Sequence, residues 1–214
     1  MKNVFVTPWV GKLYGKKDSY FNKKIMILGD SQYCDGCGDD CSASVENICN
    51  SRTEKIERYL NHKKCNGNFE SWFPTYTKFT NLFIGKKCDS ETINIFWNSI
   101  LFYNYVQKAL KIPREAPSPE MFKDKYNEEA FFEIIKKYKP DAIFVWGKRL
   151  WQNKTNRDFS SSRTILNRES GFYLSIPIFF TDHPSYPYID YKCTKKYLQK
   201  VKIKIGLKTN INVI

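Results

Sequence analysis

The chain has 214 residues and a mass of 25.3 kDa, room for one substantial domain. Apolar residues make up 42% and aromatics 16%, which excludes a wholly disordered polyelectrolyte, and no apolar run reaches the roughly 18 residues of a membrane span. Lysine and arginine total 35 against 22 acidic residues, a net charge of +13; the excess fits a polyanionic partner, nucleic acid before a membrane surface, because the basic residues are dispersed.

In chain order, the first apolar run is Lys24-Ile25-Met26-Ile27-Leu28, which reads as a buried strand. Val45 to about Leu60 reads as a helix. Leu101 to Val106 is the second strand. Ser118 is an N-cap, with Pro119 at the first helical position and Glu120 in the first turn. Phe131, Ile134, Ile135 and Tyr138 follow at helical spacing, and Lys139-Pro140-Asp141 leads into the third strand, Ala142–Trp146. Gln152 to Ser170 is polar, basic and rich in Ser, Asn and Arg, and reads as a mobile surface loop. Ile176–Phe180 is the fourth strand, and Tyr191 to about Val201 a last helix. Strands alternating with helices predict an α/β fold in a single domain over 1–214: a three-layer α/β/α sandwich around a central, mainly parallel four-stranded sheet.

Open parallel sheets bind ligands beyond the carboxyl ends of their strands. Strand one exits into Gly29-Asp30-Ser31-Gln32-Tyr33, strand two carries Asn104, strand three exits at Gly147-Lys148-Arg149, and strand four exits into Thr181-Asp182-His183-Pro184-Ser185. A carboxylate, an amide, a basic pair and an imidazole are thus expected on one edge. Each has an ordinary structural explanation alone: a cap, a sheet-edge amide, a solvated helical turn, a turn histidine. Their coincidence at four strand exits is harder to explain that way. The other histidine, His62, sits in a basic helix end and is assigned no role.

Gly29-Asp30-Ser31-Gln32-Tyr33 taken with His183-Pro184-Ser185 resembles the uracil-DNA glycosylase superfamily, whose members carry G-Q-D-P-Y or G-E-x-P-G after the first strand and H-P-S after the last. Asn104, then Pro113-Arg114 and Pro119, and the stretch Lys139 to Gly147, fall in the family's order between those motifs, so the resemblance spans about Lys24 to Ser185. Ser31 stands where the first form has its catalytic aspartate, Asp30 where the second has its acid, and Gln32 replaces the proline.

The resemblance implies a monofunctional DNA glycosylase, hydrolysing the N-glycosidic bond of a flipped uracil or modified base. Bond cleavage leaves negative charge on the base and positive charge on the sugar. His183 would donate to the base oxygen, and Asp30 would face the sugar or position water. Gly29, Ser31, Gln32, Tyr33, Asn104 and Ser185 would line the substrate site, with Asn104 on the base edge, Tyr33 as a wall, and Phe69, Trp72 or Phe73 as the stacking aromatic. Lys148, Arg149, Arg157 and Arg163 would hold phosphates, and Tyr186 or Tyr188 would fill the space the base leaves.

Seven cysteines and no secretory signal fit a reducing, cytoplasmic setting; the sequence leaves the oligomeric state open, with a monomer favoured. Cys34-Asp35-Gly36-Cys37 has the shape of a metal knuckle that Cys41 and Cys49 would complete. Zinc fits the set, an iron–sulfur cluster is the alternative, reduced thiols are the plain reading, and no metal is required for the chemistry. Two other functions compete: a catalytically weak nucleic-acid or nucleotide-binding module on the same fold, and a nucleotide hydrolase, against which the chain has no G-x-x-x-x-G-K-[ST] loop and no G-x-S-x-G elbow.

Overall fold

The computed structural model describes residues 1–33, 41, 43–44, 46–65, 67–110, 115–154, 160–165 and 168–210, with 154, 160–165 and 168–169 as backbone only. Among them the elements run β1 (Trp9–Val10), β2 (Ile25–Gly29), α1 (Ser51–Cys65), α2 (Phe73–Ile84), α3 (Ser90–Asn98), β3 (Ile100–Asn104), α4 (Pro119–Lys123), α5 (Lys125–Tyr138), β4 (Ala142–Trp146), α6 (Lys148–Lys154), β5 (Ser160–Ile165), β6 (Arg168–Tyr173), β7 (Ile176–Thr181) and α7 (Tyr191–Lys204). The strands form one mixed sheet in the order β1-β3-β2-β4-β7-β6-β5.

The fold is α/β. β2 pairs in parallel with β3 from Ile25↔Ile100 to Gly29↔Asn104 and with β4 from Ile25↔Ala142 to Leu28↔Val145. β4 pairs in parallel with β7 from Ile143↔Ile178 to Trp146↔Thr181. Every residue of β2, β3 and β4 is buried, which is why these strands are continuous apolar runs instead of alternating ones. Side chains alternate between two cores. Ile25 and Ile27 join Ile56 and Tyr59 of α1, Phe79 and Phe83 of α2, Phe96 of α3 and Tyr197 of α7. Met26 and Leu28 join Phe122 of α4, Phe131 and Ile134 of α5, and Leu150 and Trp151 of α6.

Local chemistry sets the helix ends. Asp124 accepts from the Tyr126 amide at 2.9 Å and so separates α4 from α5. Lys139 closes α5 in the left-handed region, φ 47°. Asp141 then accepts from the Lys24 amide at 2.7 Å, which ties the start of β4 to the start of β2. Asp190 caps α7 through the Cys193 amide at 2.9 Å.

Three expectations need correction. The sheet has seven strands among the described residues, not four, because β1, β6 and β5 add to the edges in antiparallel fashion. Gln152 to Ser170 is not a loop throughout: it ends α6, contains β5 and begins β6. An antiparallel hairpin at a sheet edge needs no apolar run, so its polar sequence hid it. The helix expected from Val45 starts at Ser51 and reaches Cys65; the chain before it is tied down as extended backbone, with Cys49 paired to Phe5 and Thr7.

Candidate functional site

The carboxyl ends of β2, β3, β4 and β7 bring the expected groups to one edge. β2 ends at Gly29, opposite Asn104. Beyond it the turn is fastened to the chain after β3: the Tyr105 amide donates to the Gly29 carbonyl, Val106 to Asp30 and Leu110 to Gln32, at 2.8–2.9 Å. The Asn104 side chain is 4% exposed, and its amide donates to the Ser31 carbonyl at 2.7 Å. That bond uses one of the two N–H donors of the amide, and Oδ1 accepts no hydrogen bond among the described residues. Gly29 is required here by space: a Cβ at this position would stand 2.3 Å from Asn104 Oδ1. Gln107, which sequence reasoning missed, supports the arrangement from behind. It is 1% exposed, donates to the Asn104 carbonyl at 3.2 Å and accepts from the Phe5 and Val6 amides.

Asp30 is held on both oxygens. The Ser31 hydroxyl donates to Oδ1 at 3.1 Å. Arg149 donates to Oδ2 from Nε at 2.9 Å and from its terminal nitrogen at 2.5 Å. Arg149 reaches across because Gly147 turns the chain sharply after β4, with φ 95° in the left-handed region that favours glycine, and because the Gly147 amide donates to the Thr181 carbonyl at 2.9 Å. Lys148 on the same turn is exposed.

His183 lies against this pair, with its ring edge-on to Trp146 at 5.7 Å between centroids. The Ser185 amide donates to Nδ1 at 3.2 Å, and the Ser185 hydroxyl stands 2.6 Å from the same nitrogen. A backbone N–H can only donate, so Nδ1 is the acceptor and the neutral ring carries its proton on Nε2. Burial pushes the imidazole pKa below its ordinary value; the Asp30 carboxylate opposes that shift and the Arg149 guanidinium adds to it. The ring is thus a neutral Nε2–H donor at neutral pH.

A second cluster sits behind the turn. Gln32 is 3% exposed and accepts from Arg52 at 3.4 Å; Arg52 is 6% exposed, donates to the Tyr76 hydroxyl at 2.8 Å and lies 4.8 Å above the Phe102 ring. Arg52 was not expected. Its signal is that it shares the buried helical stripe Arg52, Ile56, Tyr59, Leu60, a cation where the pattern calls for an apolar residue.

The remaining expected residues are more dispersed. The Tyr33 hydroxyl donates to the Glu115 carbonyl at 2.7 Å, and its own carbonyl accepts from Lys55. Tyr186 and Tyr188 are 52% and 80% exposed and pack against each other at 5.7 Å. Arg163 falls in β5, opposite Ser170, while Arg157, Cys34 and Cys37 lie outside the described residues. The Cys49 thiol donates to the Ser51 hydroxyl at 3.1 Å. Among the described residues no group of three or more His, Cys, Asp or Glu side chains is placed to hold a metal ion, and no helix is long and apolar enough to cross a membrane. Phe73 is 2% exposed, edge-on to Tyr59 in the core, so it cannot be a stacking platform; Phe69 is exposed and Trp72 packs on Phe73 and Tyr76. A surface hollow of about 620 Å³ lies elsewhere, between Asn3, α5 and Tyr173. His62 stacks on Phe73 and meets the Gly67 carbonyl, a structural role at the end of α1.

No family model matches the chain, and no curated protein is significantly similar to it.

Proposed function

We propose that the chain is a DNA glycosylase of the uracil-DNA glycosylase-like kind, with helices on both faces of the sheet as a three-layer α/β/α arrangement. It would hydrolyse the N-glycosidic bond of a uracil or modified base flipped out of DNA. One observation carries the reading: an oriented carboxylate, Asp30, and a neutral Nε2–H donor, His183, stand on one sheet edge within electrostatic reach of each other, with the Asn104 amide on the neighbouring strand end.

Each group meets a charge that the reaction creates. The departing base gains negative charge on its oxygen, and the His183 ring is already uncharged and fixed with its proton on Nε2 by the Ser185 contacts at Nδ1, so it can donate as that charge develops. The sugar gains positive charge, which the Asp30 carboxylate offsets; the same oxygen can orient the attacking water. Ser31, standing where one form of the motif has aspartate, serves by fixing Asp30 through its hydroxyl. Asn104 offers Oδ1 to a ring N–H. Lys148 and the exposed Tyr186 and Tyr188 flank the edge, where phosphates and the vacated stack would lie. Arg149 holds Asp30, and on this reading it also meets a flanking phosphate.

The alternative, a binding module of weak activity, draws on the same ion pair: Asp30 Oδ2 is already engaged by two guanidinium donors. Incubation with duplexes holding a single uracil or modified base, followed by alkaline strand cleavage, separates the two. Cleavage at the modified position supports the glycosylase. Salt-sensitive binding without cleavage, across the whole panel, supports the module.

A further inference from the structure

The outer face of α2 and α7 is basic and carries no acid of its own. α7 has six lysines and no Asp or Glu, and α2 adds Lys78, with Lys86 and Lys87 just beyond its end. Between the two helices lies a hollow of about 200 Å³, lined by Lys78, Lys86, Lys87 and Lys195, with Leu82 and Tyr191 as apolar walls. All four lysines are exposed, and among the described residues none forms an ion pair. Asp89 feels the Lys86 charge, but its carboxylate is committed to capping α3 through the Thr92 amide at 2.7 Å.

A helix C-terminus favours a cation beside it, and at α2 Lys202 supplies one. It is half-buried, donates to the Phe83 carbonyl at 2.7 Å and lies 5.7 Å from the centre of the Phe83 ring. Burial pushes the Lys202 pKa below its ordinary value, and the Lys195 charge pushes it further, so the positive field here is not balanced from within. The lining lysines exceed what the helix end requires and are left for a partner from outside.

Two features set the kind of polyanion that fits. Exposed rings lead into the groove: Tyr186 and Tyr188 stand in the turn before α7 and Tyr191 at its start, 52%, 80% and 47% exposed. The first turn of α7 is itself tied to the exit of β7, where the Thr194 hydroxyl donates to Asp182 at 3.3 Å. Cations that follow a backbone, with rings on which bases stack, make a single-strand groove. Paired bases are stacked on one another and offer no face to a surface ring, whereas an unpaired strand offers one at every nucleotide.

We infer that the α2–α7 groove binds a single strand of nucleic acid, with Lys78, Lys86, Lys87 and Lys195 on its phosphates and Tyr191 on a base. The groove extends the binding surface away from the sheet edge. It stands without the glycosylase reading, since a binding module on the same fold would use it in the same way.

The test is equilibrium binding of an oligothymidylate about twelve nucleotides long, within the span of one such groove, over a range of salt. The triple variant Lys86→Gln, Lys87→Gln, Lys195→Gln makes the dependence of log K on log salt shallower by about 2, three phosphate contacts at about 0.7 each. The triple variant Lys123→Gln, Lys136→Gln, Lys137→Gln removes the same charge from α4 and α5, which pack on the other core, and keeps the wild-type slope. Equal loss in both triple variants, or none in the first, overturns the inference. Tyr191→Ala weakens strand binding by about fivefold or more at an unchanged slope, the worth of one stacked base; unchanged affinity overturns the single-strand assignment. A blunt duplex that loses as much affinity as the strand in the groove variant overturns it too, and so does inorganic triphosphate bound as tightly as the strand, which reassigns the groove to a free polyphosphate. Every substituted side chain is exposed, so the variants keep the fold. Base release enters none of these readouts, and their failure leaves the glycosylase reading standing.

Discussion

Gly29→Ala is a one-carbon perturbation whose consequence can be worked out from distances. The backbone at Gly29 is ordinary strand, so alanine introduces no torsional strain, and only space opposes it. The new methyl carbon would lie 2.3 Å from Asn104 Oδ1 and 3.4 Å from both Asn104 Cγ and a Phe102 ring carbon. Phe102 is locked in the aromatic core against Trp97 and Trp146, so the Asn104 side chain must move. Moving it breaks the 2.7 Å bond to the Ser31 carbonyl. Overpacking in a dense core costs about 1–3 kcal/mol, and leaving a buried polar group unpaired costs about 1–3 kcal/mol. The two are not fully additive because one movement relieves part of the clash, so about 2–4 kcal/mol is expected. For a chain of this length that lowers Tm by roughly 5–15 °C. Calorimetric or fluorescence melting measures it, and single-turnover base release at 20 °C, below the shifted transition, measures the functional loss. Base release falls by about a hundredfold, because the Ser31 turn and the Asn104 oxygen lose their common anchor. A variant that melts within 2 °C of wild type and keeps its activity would refute the close packing at the end of β2.

The other predictions concern the charges. Asp30→Asn and His183→Ala each slow base release by tens to thousands of fold, the range for a lost acid–base group or oxyanion donor, while duplex binding persists; unchanged release in both removes them from the mechanism. Because the His183 pKa is depressed by burial, release falls as pH drops below the ordinary imidazole value and the ring becomes charged. Asp30 raises that pKa, so Asp30→Asn moves the residual acid limb to lower pH, and a limb moving upward contradicts the assignment. The linkage has the same sign: the depressed folded value makes a contribution to stability that is present above the unfolded pKa and lost as pH falls through the folded one. Arg149→Gln changes stability by less than about 1 kcal/mol, since the guanidinium is 42% exposed, but it flattens the salt dependence of duplex binding; an unchanged salt slope shows that Arg149 meets no phosphate. If Cys34, Cys37, Cys41 and Cys49 form a zinc knuckle, anaerobically purified protein carries the metal, and a metal-free, folded and active preparation retires that idea.

The parts of the fold that could be read from sequence are the apolar runs. β2, β3 and β4 are buried at every residue and announce themselves that way, and β7, partly buried at Ile176, Pro177 and Phe180, is apolar enough to follow them. β5 and β6 are polar, and β1 has only two residues, so neither composition nor period marks them. The sequence pattern puts the start of α1 earlier than Ser51 because the chain at Cys49 is extended and pairs with Phe5 and Thr7, a long-range contact with no local signature. The site followed the same logic. Asp30, Asn104, Arg149 and His183 sit at strand ends, so a rule about sheet edges finds them. The division of labour within the Asn104 amide, the clamp of Arg149 on Asp30 and the tautomer of His183 depend on hydrogen bonds between distant segments and needed coordinates. Arg52 could have been found as a charge on an apolar stripe. Its contacts with Gln32, Tyr76 and Phe102 could not.

The most direct measurement of the central claim is single-turnover release of free base, detected by mass spectrometry, from duplexes carrying one uracil or modified pyrimidine. Wild-type protein is expected to release the base in a first turnover that His183→Ala loses. Intact binding of those duplexes with no free base from any of them would contradict the assignment of Asp30 and His183 to one reacting nucleoside.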